Sequence, residues 1–574
     1  MAEDFFHPDM ELFIDHRVDW SRYLRLRDGA EGDVGGEIST YKMILRTLAE
    51  VCRDIEADAR DHWHEEVRLE KGAVVVPPHI RAGYEKLCAA GLVCPTLEAQ
   101  YGGQGLPLLL NCFYLEMVAR ADASLMTIIG LQAGVAQDIQ RFGSEEVRRR
   151  YLPAFAAGDL QGAMDLTEPQ AGSDLGAIRT RVTLENGRYF VDGEKIFITN
   201  GGAPVHLVLA RDSATFDQSK GTTNGLSLVL CPTTLPDGAA NRIRVSRVEK
   251  KLGIHGSPTC VVEFDHAEGF LLGPPGGGFR AMLELMNNAR LGVAAQGIGI
   301  AEAAYRQARD YAAQRVQFDA PILRQPLVKS MLTLMAIHIA SARALLYRTC
   351  ALMDQVDAIR KALAVPGRTS DRAERTRLTG EIDHLTQLVR FFTPLCKYYA
   401  TEISNHVTRQ AIQVHGGIGY MAQSRVAHCH SDSIITTIYE GTSEIQASFA
   451  LKEMSKGALF ATLDATRAEL AGMSAVFPDL AALVSGGIDD IQQSVPALMG
   501  DPQYALLNAK RVCEMVIDVV VSSELLLQAG LSEQRHALAT AFIHRRMPVV
   551  GQNAHRISTG DATRIHNYDQ ILGL

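Results

Sequence analysis

The 574-residue chain lacks several features that would place it quickly in a functional class. It has no basic excess: its net charge is −9, whereas a bulk nucleic-acid binder carries a positive one. It has no run of about 18 or more uninterrupted apolar residues, so no membrane span is expected. Its first residues, MAEDFFHPDMEL, are acidic where a signal peptide is basic and then apolar. None of its ten cysteines forms a C-x-x-C pair, which argues against a zinc ribbon or a thioredoxin-like site. They read as core thiols in a reducing cytoplasm. There is no internal repeat of about 20–50 residues. No strand, G-x-G-x-x-G and helix follow one another, so any dinucleotide is not held by a Rossmann unit.

What is present is ordinary in bulk and specific in detail. Apolar residues make up 47% and charged residues 21%, as in soluble globular proteins. The length suggests about three to five domains. Up to about residue 160, apolar residues recur at helical spacing, as in Tyr41, Ile44, Leu45, Leu48 and Val51. Ser144, followed by Glu145 and Glu146, reads as a helix start. Near residue 164 the pattern changes to alternation, and Asn186-Gly187 and Asp192-Gly193 both signal hairpins. Strand-like runs follow at His206–Ala210, Leu226–Cys231 and Cys260–Phe264. This predicts an antiparallel β insert of about 110 residues, closed by the Gly- and Pro-rich run 273–278. Helical spacing resumes at Phe279 and continues to the end, with an exposed excursion expected around Pro366–Arg377. Over 504–528, Asn508, Arg511, Glu514, Asp518 and Ser522 form a polar stripe opposite Leu506, Ala509, Cys513, Val516 and Val520, the pattern of a packing helix. Helices flank the strands and do not alternate with them, which excludes a doubly wound α/β fold.

Three segments could carry chemistry. In Met164–Asp174, Thr167, Gly172 and Ser173 offer hydroxyls and open backbone N–H groups to a phosphate or a heterocycle edge, although a simple turn has the same composition. In Glu194–Gly202, alternation puts Phe197 and Thr199 on one strand face, where they could support a flat ring or simply half-bury a strand. In Ile438–Gln446, Glu440 follows Ile434, Ile435 and Ile438. It could enter an apolar interior, where a carboxylate's raised pKa suits a general base, or sit in water near a helix start. Two further segments look like phosphate cradles: Arg315, Gln317 and Phe318, and Gln413 to Tyr420 with its glycines. His428-Cys429-His430, like His62 and His64, lacks a spaced second ligand pair, so no metal is expected.

Taken in order, LTEPQAGSD, KIFITNGG, RVQF, QVHGGIGY and IYEGT resemble the ordered motifs of the acyl-CoA dehydrogenase family. TEPQAGSDLG, KLGIHGSPTC and the helical extension after IYEGT look like the larger bacterial subgroup with 3-methylthiopropionyl-CoA and long-chain enzymes. The resemblance runs from about residue 35 to about residue 450. It implies a mainly α fold with a β-barrel middle domain: helices over 1–162, a β domain over 163–275, a helical bundle over 276–450 and an added helical domain over 451–574.

The resemblance also implies FAD as cofactor and roles for particular residues. Met164, Leu166, Thr167, Phe197 and Thr199 would contact the isoalloxazine, and Ser173 would lie where the flavin pyrophosphate meets the thioester arm. Arg315, Gln317 and Phe318, with Gln413, Gly416 and Gly417, would reach a neighbouring subunit's FAD. Thr442 and Glu444 would return to the flavin of their own subunit. Arg290 and Gly441 would face the substrate. Glu440 falls on the family's catalytic base, taking the α-proton of an acyl-CoA thioester while the β-hydride moves to flavin N5. The Glu440 N–H and a ribityl hydroxyl would hold the thioester oxygen, the product would be a trans-2-enoyl-CoA, and electrons would pass to an electron-transfer flavoprotein in β-oxidation. The family often has arginine where this chain has His255 and Ser431, which leaves the partner of Asp432 unassigned. The rival readings are an oxygen-using acyl-CoA oxidase and a DNA-protective member of the same fold. The second needs a basic extension, and 451–574 carries ten Lys/Arg against thirteen Asp/Glu. The extension would cover a surface that shorter relatives use to pair dimers, so a cytoplasmic homodimer is expected.

Overall fold

The computed structural model describes residues 5–29, 33–365 and 371–574. They divide into two compact units. The first takes its residues from Met1–Glu11, Gly35–Ala308 and Ala411–Thr436, the second from Leu12–Val34, Arg309–Gln410 and Thr437–Leu574. In chain order the longer helices are α1 (Val34–Ala59), α2 (Pro78–Ala89), α3 (Leu108–Ala121), α4 (Ala123–Phe142), α5 (Glu145–Ala157), α6 (Gly278–Gln314), α7 (Pro326–Ala364), α8 (Arg372–His415), α9 (Arg425–Thr436), α10 (Ser443–Glu453), α11 (Leu459–Met473), α12 (Pro478–Ser494), α13 (Ala509–Ala529) and α14 (Glu533–Ser558).

The helical spacing read from the sequence becomes packing in the first unit. Tyr41, Leu45, Leu48, Cys52 and Ile55 are the buried stripe of α1. Ser144 caps α5, its Oγ accepting from the Val147 N–H at 3.3 Å. A small hairpin, Arg68–Glu70 with Ala73–Val75, interrupts the helices.

The β domain of this unit has seven strands: β1 (Gly162–Asp165), β2 (Arg181–Glu185), β3 (Arg188–Thr199), β4 (Val205–Asp212), β5 (Leu226–Pro232), β6 (Ile243–Val248) and β7 (Thr259–Leu272). β2 pairs β3, β3 pairs β7, β7 pairs β5 and β5 pairs β4, all antiparallel. A short parallel pairing of β4 with β2 closes the ring. β1 lies parallel on β4, and β6 lies antiparallel on β7. The sheet is therefore a barrel with two parallel pairings, not the purely antiparallel insert expected. Alternation reveals a strand's faces but not the direction of its neighbour. Val182, Val191, Ile198, Val208, Val229, Val262 and Phe264 fill the interior.

The two hairpin signals part ways. Asn186 and Gly187 form the β2–β3 turn with φ of 49° and 81°, the double left-handed turn that hairpins favour. Asp192-Gly193 makes no turn. It lies inside β3, where the ladder to β7 slips between Val191 and Gly193. Asp192 Oδ1 there accepts from the His266 N–H at 2.7 Å, so the pair makes a β-bulge.

In the second unit the polar stripe of 504–528 is not turned to water. The helix breaks at Asn508, and within α13 Asp518, Ser522 and Glu524 are buried. Arg546 of α14 donates twice to Asp518, at 2.8 and 2.9 Å. Arg17 donates twice to Glu524 at the same distances. Charges can line a packed helix face when each meets a partner. The best window of α7 has a mean hydropathy of 1.3 and is 67% buried inside the fold, as a core helix would be. Of the expected excursion around Pro366–Arg377, residues 366–370 lie outside the described residues, and Arg372 already begins α8. All ten cysteines are unpaired, and all but the half-buried Cys88 are buried.

Candidate active site

The motif residues of the first unit hang on one buried ammonium. Lys195 of β3 is fully buried and donates to Leu166 O, Leu209 O and Glu168 Oε1, each at 2.8 Å. Glu168 in turn accepts from the N–H groups of Arg179 at 2.7 Å and Thr180 at 3.0 Å. Burial alone would raise the Glu168 carboxyl, but the Lys195 charge and these hydrogen bonds hold it below the usual range. The turn after β1 is thereby fixed, and the Ile196 N–H donates to Thr167 O at 2.9 Å. Thr167 is thus set beside the strand that carries Phe197 and Thr199. Met164, Thr167 and Thr199 are half-buried, Leu166 is buried and Ser173 is exposed on the following turn.

Simple alternation does not describe this strand. It would put Lys195, Phe197 and Thr199 on one side, yet Lys195 is buried and Phe197 is 60% exposed. The β3–β7 register shifts between Lys195 and Ile198, and Phe197 has φ of 58°. The bulge turns the phenyl ring outward. Neither Lys195 nor Glu168 was among the site residues read from the sequence. Their only signal is a lysine and a glutamate inside two motif segments.

The same unit supplies the missing partner of Asp432. Its Oδ1 accepts from the Ile254 N–H at 2.5 Å. Ile254 has φ of 44°, an outlier for a β-branched residue. Gly253 is required there, because a Cβ would lie 2.5 Å from the Ser431 carbonyl. A backbone amide is thus the hydrogen-bond partner of Asp432, although burial still pushes its carboxyl up to about 7 against this bond and the charge of Arg425. Arg425 of α9 is held by Glu56 at 2.7 Å and by Arg120 O at 2.8 Å. The cleft lined by Trp63, Asp122, Arg425, His428 and Asp432 contains none of the predicted site residues. His62 and His64 are exposed. Arg290 is buried on α6 and donates to Asn287 Oδ1 at 3.0 Å. At Gly130 of α4 a Cβ would lie 3.4 and 3.5 Å from Met126 and Leu115, ordinary contact distances at which an alanine would fit. Gln413, Gly416 and Gly417 are exposed at the end of α8 and the turn that follows it.

In the second unit Glu440, Gly441, Thr442 and Glu444 share one loop and the start of α10. Glu440 is half-buried with φ of 55°, and Gly441 follows with φ of 94°. Gln446 Nε2 donates to Glu440 O at 2.8 Å and Gly441 O at 3.1 Å. Lys397 Nζ donates to Gly441 O at 2.7 Å. Thr442 caps α10, accepting from the Ile445 N–H at 3.4 Å. Glu444 is exposed and pairs with Lys510 at 3.0 Å, and that hydrogen bond is the main reason its carboxyl is held low. Arg315, Gln317 and Phe318 occupy an exposed hairpin, Val316–Gln317 with Ala320–Pro321, turned by Phe318 and Asp319 at φ of 54° and 57°. Of nine non-glycine residues with positive φ among those described, Phe197, Asn200, Ile254, Phe318, Asp319 and Glu440 lie in or beside the motif segments. Such strain persists only where the surroundings enforce it, and it gathers at functional sites.

Comparison with known proteins decides the family. The sequence matches the family models described as the acyl-CoA dehydrogenase N-terminal domain over 39–159, middle domain over 163–267 and C-terminal domain over 276–366 and 372–455. The chain belongs to the acyl-CoA dehydrogenase family. Members of this family are FAD-dependent oxidoreductases acting on acyl-CoA. The chain is 34% identical to the 3-methylmercaptopropionyl-CoA dehydrogenase of Ruegeria pomeroyi over 461 residues, covering 77% of this chain and 74% of that one. Its fold resembles that of Caenorhabditis elegans ACDH-11 in complex with C11-CoA, with a TM-score of 0.78 at 18% identity, covering 97% and 95% of the two chains. It also resembles an acyl-CoA dehydrogenase of Bacillus anthracis complexed with FAD, with a TM-score of 0.73 at 22% identity, covering 90% and 88%.

The residues of this acyl-CoA dehydrogenase fit the family's cofactor. An exposed Phe197 ring beside the half-buried Thr167 and Thr199 offers an apolar face and hydroxyls to a flat heterocycle. At Gly416 and Gly417 no atom lies within 4 Å of where a Cβ would stand, so their backbone is open to close approach.

Proposed function

We propose that this acyl-CoA dehydrogenase converts an acyl-CoA thioester to the trans-2-enoyl-CoA, with Glu440 as the base. The observation that carries this reading is the left-handed, half-buried Glu440 on a loop fixed by hydrogen bonds to both carbonyls of the Glu440-Gly441 pair. The α-proton of a thioester is weakly acidic, so its removal needs a carboxylate held in place and a donor for the oxygen that gains charge. Glu440 supplies the carboxylate and its own backbone N–H the donor. Met164, Leu166, Thr167, Phe197 and Thr199 would hold the isoalloxazine, and Ser173, Arg315, Gln317, Phe318, Gln413, Gly416, Gly417, Thr442 and Glu444 the rest of the FAD. Bound FAD supplies the acceptor for the β-hydride. Ser173, Arg290 and Gly441 would face the substrate.

The family resemblance supports an electron-transfer flavoprotein as electron acceptor and a place in fatty-acid β-oxidation, the unpaired cysteines support a cytoplasmic setting, and the added helices over 451–574 support a homodimer. Light scattering tests the last, since a stable tetramer contradicts it. Glu440→Gln is expected to keep yellow, FAD-loaded protein and to lower acyl-CoA-dependent dye reduction by about 10²–10⁴-fold. Turnover at the wild-type rate overturns the assignment. Peroxide formed in step with turnover would replace the dehydrogenase reading with an oxidase.

A further inference from the structure

We propose that Lys397 is the positioning residue of the base. It fixes the backbone of the Glu440-Gly441 pair and, by its charge, sets the pH at which Glu440 is ready to accept a proton. The inference rests on the reading of Glu440 as the base.

Two consecutive left-handed residues, the first a glutamate, do not hold their shape unaided. Three residues, Gln446, Ser443 and Lys397, hold them here. Gln446, fully buried, donates to both carbonyls. The Ser443 N–H closes the loop onto Thr437 O at 3.1 Å, while Ser443 Oγ donates to Glu402 Oε1 on α8 at 2.5 Å. Lys397, one turn and a half earlier on α8, is also fully buried and donates to Gly441 O at 2.7 Å. Helix α8 therefore grips the loop at two points, with an ammonium at Gly441 and a carboxylate at Ser443.

A neutral donor would suffice to hold a carbonyl, as Gln446 shows. An ammonium adds charge. Carrying it to 2.7 Å from the Gly441 carbonyl, next to the base, favours the ionised form of a nearby carboxylate, while the Glu402 carboxylate that holds Ser443 of the same loop acts the other way. In this proposal Lys397 therefore has two tasks, holding the Gly441 carbonyl and placing a positive charge beside the base. Gln446 shares the geometric task and not the electrostatic one, which separates the two effects by experiment.

The test uses the full chain loaded with FAD and compares Lys397→Met, Lys397→Arg and Gln446→Met by kcat and kcat/KM against pH, with the flavin spectrum as a check on loading. Lys397→Met is expected to lower kcat by roughly 10–100-fold and to move the acid limb of kcat/KM upward by about one pH unit. Lys397→Arg should return the limb to its wild-type position. Gln446→Met should lower kcat without moving the limb. A wild-type limb in Lys397→Met, or an equal shift in Gln446→Met, overturns the proposal. So does failure of both Lys397→Met and Lys397→Gln to accumulate as FAD-loaded protein, because the lysine is then a folding determinant. Full turnover by Glu440→Gln would instead remove the reading beneath the proposal. An inactive Glu440→Gln beside an unshifted Lys397→Met removes the proposal alone.

Discussion

Each unit buries one lysine completely behind a motif loop, and the two lysines do different work. In the first unit Lys195 gathers the Leu166 carbonyl and the Glu168 carboxylate from the turn after β1 and the Leu209 carbonyl from β4. Burial draws its ammonium below the usual lysine range, with Glu168 acting against that pull. In the second unit Lys397 donates to the carbonyl of a residue held at φ of 94°. Lys195 ties regular strands together, so its removal should register as lost stability. Lys397 enforces a conformation the loop would otherwise leave, so its removal should register in kcat. A buried charge is costly to bring from water, and its role is read from what it is bonded to rather than from its burial.

The largest expected effect breaks the comparison if it fails to appear. Lys195→Met leaves Glu168 buried without its cation, which should cost about 3–5 kcal/mol of stability and release FAD as the turn after β1 loosens. Denaturant unfolding followed by flavin fluorescence measures both. An equal loss of stability in Lys397→Met would mean that the two lysines do the same job.

A second prediction separates charge from shape at Glu168. Its carboxyl is held below its unfolded value, so the stability it contributes is complete above the unfolded pKa, about 4.3. That contribution is lost as pH falls through the folded value. Glu168→Gln removes it at every pH. The stability gap between the wild type and Glu168→Gln should therefore be widest near neutrality and narrow below about pH 4.3. Urea unfolding at a series of pH values checks this, and a gap that widens in acid contradicts it.

What the sequence made legible was local or ordered along the chain. The Ser144 cap, the Asn186-Gly187 turn, the buried stripe of α1 and the motif order all rest on neighbours within a few residues or on succession. What stayed hidden depended on distant partners. Lys195 and Glu168 are 27 residues apart, and Lys397 and Gly441 are 44 apart. Nothing in either local pattern says which ammonium meets which acceptor. The same limit explains Asp192-Gly193, whose dipeptide permits a turn or a bulge until β7 supplies His266 as a partner. It also explains α13, whose pattern reads as a packing helix without saying that Arg546 meets Asp518 and Arg17 meets Glu524. Asp432 completes the pattern: the resemblance implies an arginine beside it, and its hydrogen-bond partner is a strained backbone amide 178 residues away.

The smallest expected effect asks how far the extension takes part in holding the loop. Contacts reach from it toward the Lys397 region, including Lys510 Nζ 5.5 Å from the centroid of the Tyr398 ring. Glu514 of α13 accepts from Tyr398 Oη at 2.8 Å, and Lys510 pairs with Glu444 at 3.0 Å. Tyr398 is buried, whereas the Lys510 and Glu444 side chains are 42% and 70% exposed. An exposed pair is screened and contributes at most about 1 kcal/mol, so Lys510→Met should leave kcat within about twofold and shift stability by no more than that amount. Glu514→Leu should cost more, because it leaves the Tyr398 hydroxyl buried without its acceptor. If Lys510→Met lowers kcat as far as Lys397→Met does, the loop is held from the extension as strongly as from α8, and the second lysine loses its distinct place.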